Sequence, residues 1–387
     1  MFFKLAISLL LLPLVSASAL AQQTGTMVGR TPGSAAANQG FRVIREIPPP
    51  PTCAPAGAIP TAANDTPALP DLVFSRMDLM CVRHSDGRFE ELPKDIAGFW
   101  SPNGREFAYW NAEKHELHLR SLVNSSDNVV DSLPDVVSNQ MFWSAKGRAL
   151  VYLANTTNPL RYRILDLDSG KRSIVEPGLT RVLGAPDPAH LLAVGQNVVE
   201  RISVSDGKHE VLAAVKYVDD AAYSESGALL GMRALKLDEG QAADDDSPDC
   251  RGGAFALVVQ KMDTKQRFEI PFPEGFNTVE DYAFSPDDRT LAITFGVNGC
   301  DYPGDAARVY VVSLPNLALT PRSPADRLSV QPHWSPDGKA IVYSDYSGST
   351  PPLIAVDLRT GRTTNLTHPG QYGYAPDGFI SWRMDHK

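Results

Sequence analysis

Two stretches of this 387-residue chain concentrate side chains suited to binding chemistry. Between Leu237 and Ala254 stand Asp238, Glu239, Asp244, Asp245, Asp246, Asp249 and then Cys250. Between Val297 and Ala307 stand Cys300, Asp301 and Asp305. Carboxylate oxygens are hard ligands, so the first stretch could hold calcium if Asp301 or Asp305 joined it from the second. Its spacing matches no EF-hand, since the sixth position lacks Gly and the twelfth lacks Glu. A solvated acidic loop is the simpler reading. No metal or other cofactor is therefore expected, and Asp244, Asp245, Asp246, Asp249, Asp301 and Asp305 are expected to serve as partner-binding groups.

Catalytic signatures are thin. No GxSxG nucleophile elbow occurs, which leaves acyl transfer without support. His115 and His118 lie three apart near a strand, so they face opposite sides and make a poor metal pair. His333 directly precedes Trp334 and is expected to pack or hydrogen-bond between structural units. No catalytic residue is assigned.

The elements that must position these groups begin with a leader. Lys4, the apolar run Leu5 to Val15 and the small-x-small site Ala19-Leu20-Ala21 read as a signal peptide over residues 1–21. The apolar run is too short for a membrane span, which needs about 20 residues. A periplasmic or secreted protein with no membrane span after cleavage is expected. The net charge of −9 argues against nucleic acid as a partner. Residues 22–70 are rich in Ala, Pro, Gly and Thr, include Pro48 to Pro51, and read as an extended tether that cannot bury a core.

From residue 71 onward one small unit recurs: an aromatic residue, a four-residue turn, then an apolar strand. The clear copies are Trp100 with Ser101-Pro102-Asn103-Gly104, Phe284 with Ser285-Pro286-Asp287-Asp288, and Trp334 with Ser335-Pro336-Asp337-Gly338. Weaker copies follow Trp143 and Tyr223, and two begin at Ala185 and, after Tyr374, at Ala375. Pro presets φ near −65° at the second turn position, and Gly accepts a positive φ at the fourth. Trp100, Trp143, Tyr223, Phe284, Trp334 and Tyr374 are read as structural anchors. Spacings of 43, 41, 39, 61, 50 and 40 residues between successive turns fit a propeller blade, with two insertions. The expected fold is all-β: a β-propeller over 71–387 with seven blades of four antiparallel strands, six being the alternative. Strands from the two ends, 71–92 and 379–383, are expected to share one blade and close the ring.

Both acidic stretches connect the second and third strands of neighbouring blades, so their loops leave the same face. That placement predicts a Cys250–Cys300 disulfide in an oxidising compartment. Cys53 and Cys81 form the other candidate pair, although Cys81 sits within a strand and could equally be a buried thiol.

His333 to Tyr343, with its Trp-Ser-Pro-Asp-Gly turn and Ile-Val-Tyr strand, resembles the TolB-like family of WD-like propeller repeats, and Phe284 to Ile293 does so too. The resemblance extends over about residues 71–387 and implies the propeller fold. Family members with a folded domain ahead of the propeller take part in envelope protein contacts; here the tether occupies that place. A non-catalytic scaffold binding an envelope or secreted protein, or a polymer, is the expected function. Some seven-bladed polysaccharide lyases use inward-facing histidines with a metal, so a polysaccharide lyase or hydrolase using the channel is the alternative.

Overall fold

The computed structural model describes residues 71–382 apart from 77–78, 87, 92–95, 102–105, 112, 122–123, 125, 133–140, 145–148, 156–159, 179, 196, 236–254, 298–305, 347–351 and 367–379. These residues form seven four-stranded antiparallel sheets and no helix. Six sheets are continuous in sequence: blade 1 (96–132), blade 2 (141–175), blade 3 (181–214), blade 4 (218–269), blade 5 (278–321) and blade 6 (329–365). Blade 7 takes its innermost strand, Ile380–Trp382, from the C-terminal end and its other three, Leu72–Arg76, Leu79–Arg83 and Phe89–Glu91, from the opposite end. The expected shared blade is therefore present, and the count is seven rather than six.

The sheets stack around a ring because each buries apolar residues on both faces. Separate core clusters join blades 1 and 2, 2 and 3, 3 and 4, 4 and 5, and 5 and 6. A further cluster packs Leu72, Phe74 and Cys81 of blade 7 on Ala340, Val342, Leu353 and Leu366 of blade 6. Blade 7 also packs on the inner strand of blade 1, which completes the circle. Second strands are consequently well buried: all of Ala340–Asp345 is buried, as is Thr290–Gly296 beyond its first residue.

The repeated serine shapes the turn between the first and second strands. The amides of Glu106, Ala149, Leu229, Thr290 and Ala340 donate to Oγ of Ser101, Ser144, Ser224, Ser285 and Ser335 at 2.9–3.1 Å. Each serine is buried, so its hydroxyl satisfies a backbone donor that water cannot reach. Asp287 and Asp337 accept from Ser285 and Ser335 and cap the amide two residues on. Gly227 and Gly338 end their turns at φ of +77° and +68°, where Asp288 in blade 5 takes the same left-handed geometry.

Candidate partner-binding face

The innermost strands of blades 4 and 5 each carry a pair of acidic residues in their first half, Asp219-Asp220 and Glu280-Asp281. Asp220 and Asp281 both lie four residues ahead of the buried turn serine, Ser224 or Ser285, so they hold equivalent places in adjacent blades. Each strand slips register by one residue here, between Val218 and Asp220 and between Val279 and Asp281. Such bulges re-aim side chains and are enriched beside functional sites. The innermost strands of a propeller surround its central channel, so the two doublets stand near the same end of adjacent channel-lining strands.

Arg233 organises the blade 4 half. It stands opposite Asp220 in register, grips Asp219 through Nε and Nη2 at 2.9 and 2.6 Å, and donates through Nη1 to the carbonyl of Glu280. Its guanidinium also lies 5.2 Å from the ring centre of Phe255. One arginine cannot balance four carboxylates. Burial pushes the Asp281 carboxyl up to about 6; the Tyr282 amide at 2.7 Å opposes the shift, and the Asp220 charge adds to it. Asp220 is raised for the same leading reason, burial, against the pull of Arg233. Arg181 opens the inner strand of blade 3 and lies within electrostatic reach of Asp220.

Both insertions leave from this end. Leu235 pairs with Phe255 across the root of the first, and Gly296 pairs with Ala307 across the root of the second. Tyr217, just ahead of the Asp219-Asp220 pair, and Val297, at the second root, are exposed apolar side chains. The face therefore combines excess negative charge with scattered apolar contact points.

The expected partner-binding groups Asp244, Asp245, Asp246, Asp249, Asp301 and Asp305 lie outside the described residues, as do Cys250, Cys300, Cys53 and Tyr374. Cys81 is fully buried in the blade 6–blade 7 core and is disulfide-bonded. Among the anchors, Trp100 ends the inner strand of blade 1, and Trp143 and Trp334 are buried. Trp334 donates from Nε1 to the Ala283 carbonyl of blade 5 at 2.9 Å, and Phe284 meets Tyr282 edge to face at 6.2 Å. Tyr223 is half-buried against the blade 3–blade 4 core. In blade 7, Trp382 pairs with Leu72 as Trp334 pairs with Ile341, so Trp382 holds the register place of an anchor. His333 carries no charge near neutral pH, because burial lowers it to about 4.

Sequence reasoning passed over Asp219, Asp220, Glu280, Asp281 and Arg233. The signal was available, since two acidic doublets stand at matched distances from two turn serines. Motif spacing drew attention to the longer loops instead.

No protein-family model matches the chain. An uncharacterized protein of Agrobacterium fabrum is 32% identical over 119 residues, which cover 28% of this chain and 38% of that protein. The propeller domain of the trilobed protease from Pyrococcus furiosus matches 76% of this chain and 90% of its own, with 12% identity and a TM-score of 0.56. Oligogalacturonate lyase from Vibrio parahaemolyticus matches 78% and 86%, with 14% identity and a TM-score of 0.52. TolB from Acinetobacter baumannii matches 79% and 78%, with 15% identity and a TM-score of 0.45. At such identities the likeness is one of fold. Joined to the serine-built turns and the shared seventh blade, the match to the protease domain and the lyase makes this chain a seven-bladed β-propeller.

Proposed function

We propose that the chain is an exported binding scaffold, periplasmic or secreted, whose partner docks on the face where both insertions leave. The observation that carries this reading is the pair of acidic doublets at equivalent places in blades 4 and 5, at the channel end shared by the insertion roots. A rigid ring holds such groups in fixed relation while its loops vary, an economical way to build recognition. The excess negative charge favours a protein or polymer that presents basic groups, with binding that weakens as salt rises. Cleavage of a polysaccharide in the channel is the alternative.

Cross-linking in the native host followed by affinity capture tests the reading against two variants. One carries Asp219→Asn with Asp220→Asn; the other lacks residues 238–253. The wild type should retain one stoichiometric partner, and both variants should lose about tenfold or more of it, a change of about 1.4 kcal/mol. Equal capture by all three forms excludes this face. Capture of nothing, with release of unsaturated or reducing ends from envelope polysaccharide, favours the alternative.

A further inference from the structure

Five buried side-chain atoms among the described residues have no hydrogen-bond partner, and two of them, Thr294 Oγ1 and Ser329 Oγ, belong to the two sides of a single seam. Thr294 pairs with Val309 and lies two residues beyond Ala292; both neighbours belong to the core joining blades 5 and 6. Alternation along the strand turns Thr294 toward blade 6. Ser329 pairs with Asp345, two residues beyond Tyr343 of the same core, which turns Ser329 and Asp345 toward blade 5. Thr294 and Ser329 are both 0% exposed. A hydroxyl buried without a partner loses its hydration with nothing in return, so two in one seam call for a resident group.

Carboxylates frame the same place. Asp281 stands opposite Thr294 in register, on the same face of the sheet. Glu280 reaches over Gly296, where an added Cβ would lie 2.6 Å from Oε1; Gly296 follows Thr294 by two residues and shares its face. The strand bulge brings these two consecutive acidic residues to one side. Asp345 is already engaged by Arg327 at 2.8 Å. No three His, Cys, Asp or Glu side chains among the described residues are grouped so as to hold a metal by themselves.

We propose that the seam between blades 5 and 6 binds a hard cation of the calcium class, with Glu280, Asp281, Thr294 and Ser329 as its oxygen ligands. An all-oxygen set of two carboxylates and two hydroxyls suits calcium, whose flexible coordination accepts water in the remaining positions. The groups around Asp281 fit the assignment. Glu280 and Asp220 add negative charge beside it, and Arg233 only partly offsets it. This site shares Glu280 and Asp281 with the proposed docking face but takes no ligand from the acidic insertion, so removing residues 238–253 separates the two readings.

The test uses the mature protein stripped with EDTA, titrated with calcium, magnesium or sodium chloride by calorimetry and thermal unfolding. One calcium per chain and a rise of a few degrees in Tm are expected, with magnesium and sodium about tenfold weaker or more. Thr294→Val removes an unpartnered hydroxyl without changing shape, so the fold persists while the calcium response is lost. Asp281→Asn provides the second variant and should lose it too. A chain lacking residues 238–253 should keep the response. No calcium-dependent shift in the wild type overturns the site and leaves the hydroxyls to buried water. A response unchanged in both point variants, or one lost only with residues 238–253, overturns it equally.

Discussion

Two titrating residues at the inner strands pull stability in opposite directions over the same pH range. Asp281 has its folded pKa raised to about 6 from 3.8, so the folded state holds the proton more tightly than the unfolded one. Its contribution is most favourable below pH 3.8 and is lost as pH rises to 6, by up to about 3 kcal/mol. His333 has its folded pKa lowered to about 4 from 6.5, so its contribution is present above 6.5 and is lost as pH falls to 4. The wild-type profile largely cancels, and single variants separate the two effects. Urea unfolding in chelator at pH 4 and pH 7.5 should show Asp281→Asn gaining about 1–2 kcal/mol at the higher pH and little at the lower. His333→Gln should flatten the acid side. A gain for Asp281→Asn that is equal at both pH values would contradict the assignment.

At the scale of the strand pair, the turn serine and the close approach of adjacent blades set local tolerance. Ser335→Ala leaves the Ala340 amide without its side-chain acceptor in a fully buried place. The cost should be about 1–2 kcal/mol by chemical denaturation. Gly231 is more demanding, because an added Cβ would stand 2.6 Å from Cε2 of Tyr282, whose hydroxyl donates to the Gly231 carbonyl at 3.0 Å. The tyrosine is fixed at both ends, so relief requires separating blades 4 and 5. Gly231→Ala should therefore cost more than Ser335→Ala, about 2–3 kcal/mol. A smaller effect for the glycine variant would show that the seam yields easily.

For the whole ring, stability depends on three short backbone pairings. Leu72, Val73 and Phe74 pair with Trp382, Ser381 and Ile380. Through these pairs the two ends of the described chain become neighbours in one sheet. A chain shortened to end at Thr367 would expose the Leu72–Arg76 edge, and unpaired edges recruit other chains. The shortened protein should melt several degrees lower and self-associate, as read by calorimetry and light scattering. Identical melting and scattering for both forms would mean that packing on blade 6, through Leu72 and Phe74, holds the ring without those pairs.

Residue order by itself determined the architecture. Serine-proline-aspartate turns spaced near 40 residues specify strand pairs, and acidic insertions mark where that spacing stretches. The shared seventh blade was equally legible, because strands without a turn at one end complement a turn without partners at the other. These features are local, written in propensities and spacing that neighbours in sequence enforce on one another. The orphaned hydroxyls of Thr294 and Ser329 and the place of Trp382 were not legible in this way, and the acidic doublets, visible at matched distances from two serines, took on meaning only once the strands were paired. Each depends on a strand bulge or on which face of a sheet meets the next blade, and a shift of one residue in register reverses that face. Only the packing of blade on blade chooses the register, since it is there that the buried area lies. For that reason the tertiary structure, and not the motif spacing, decided which oxygens come together.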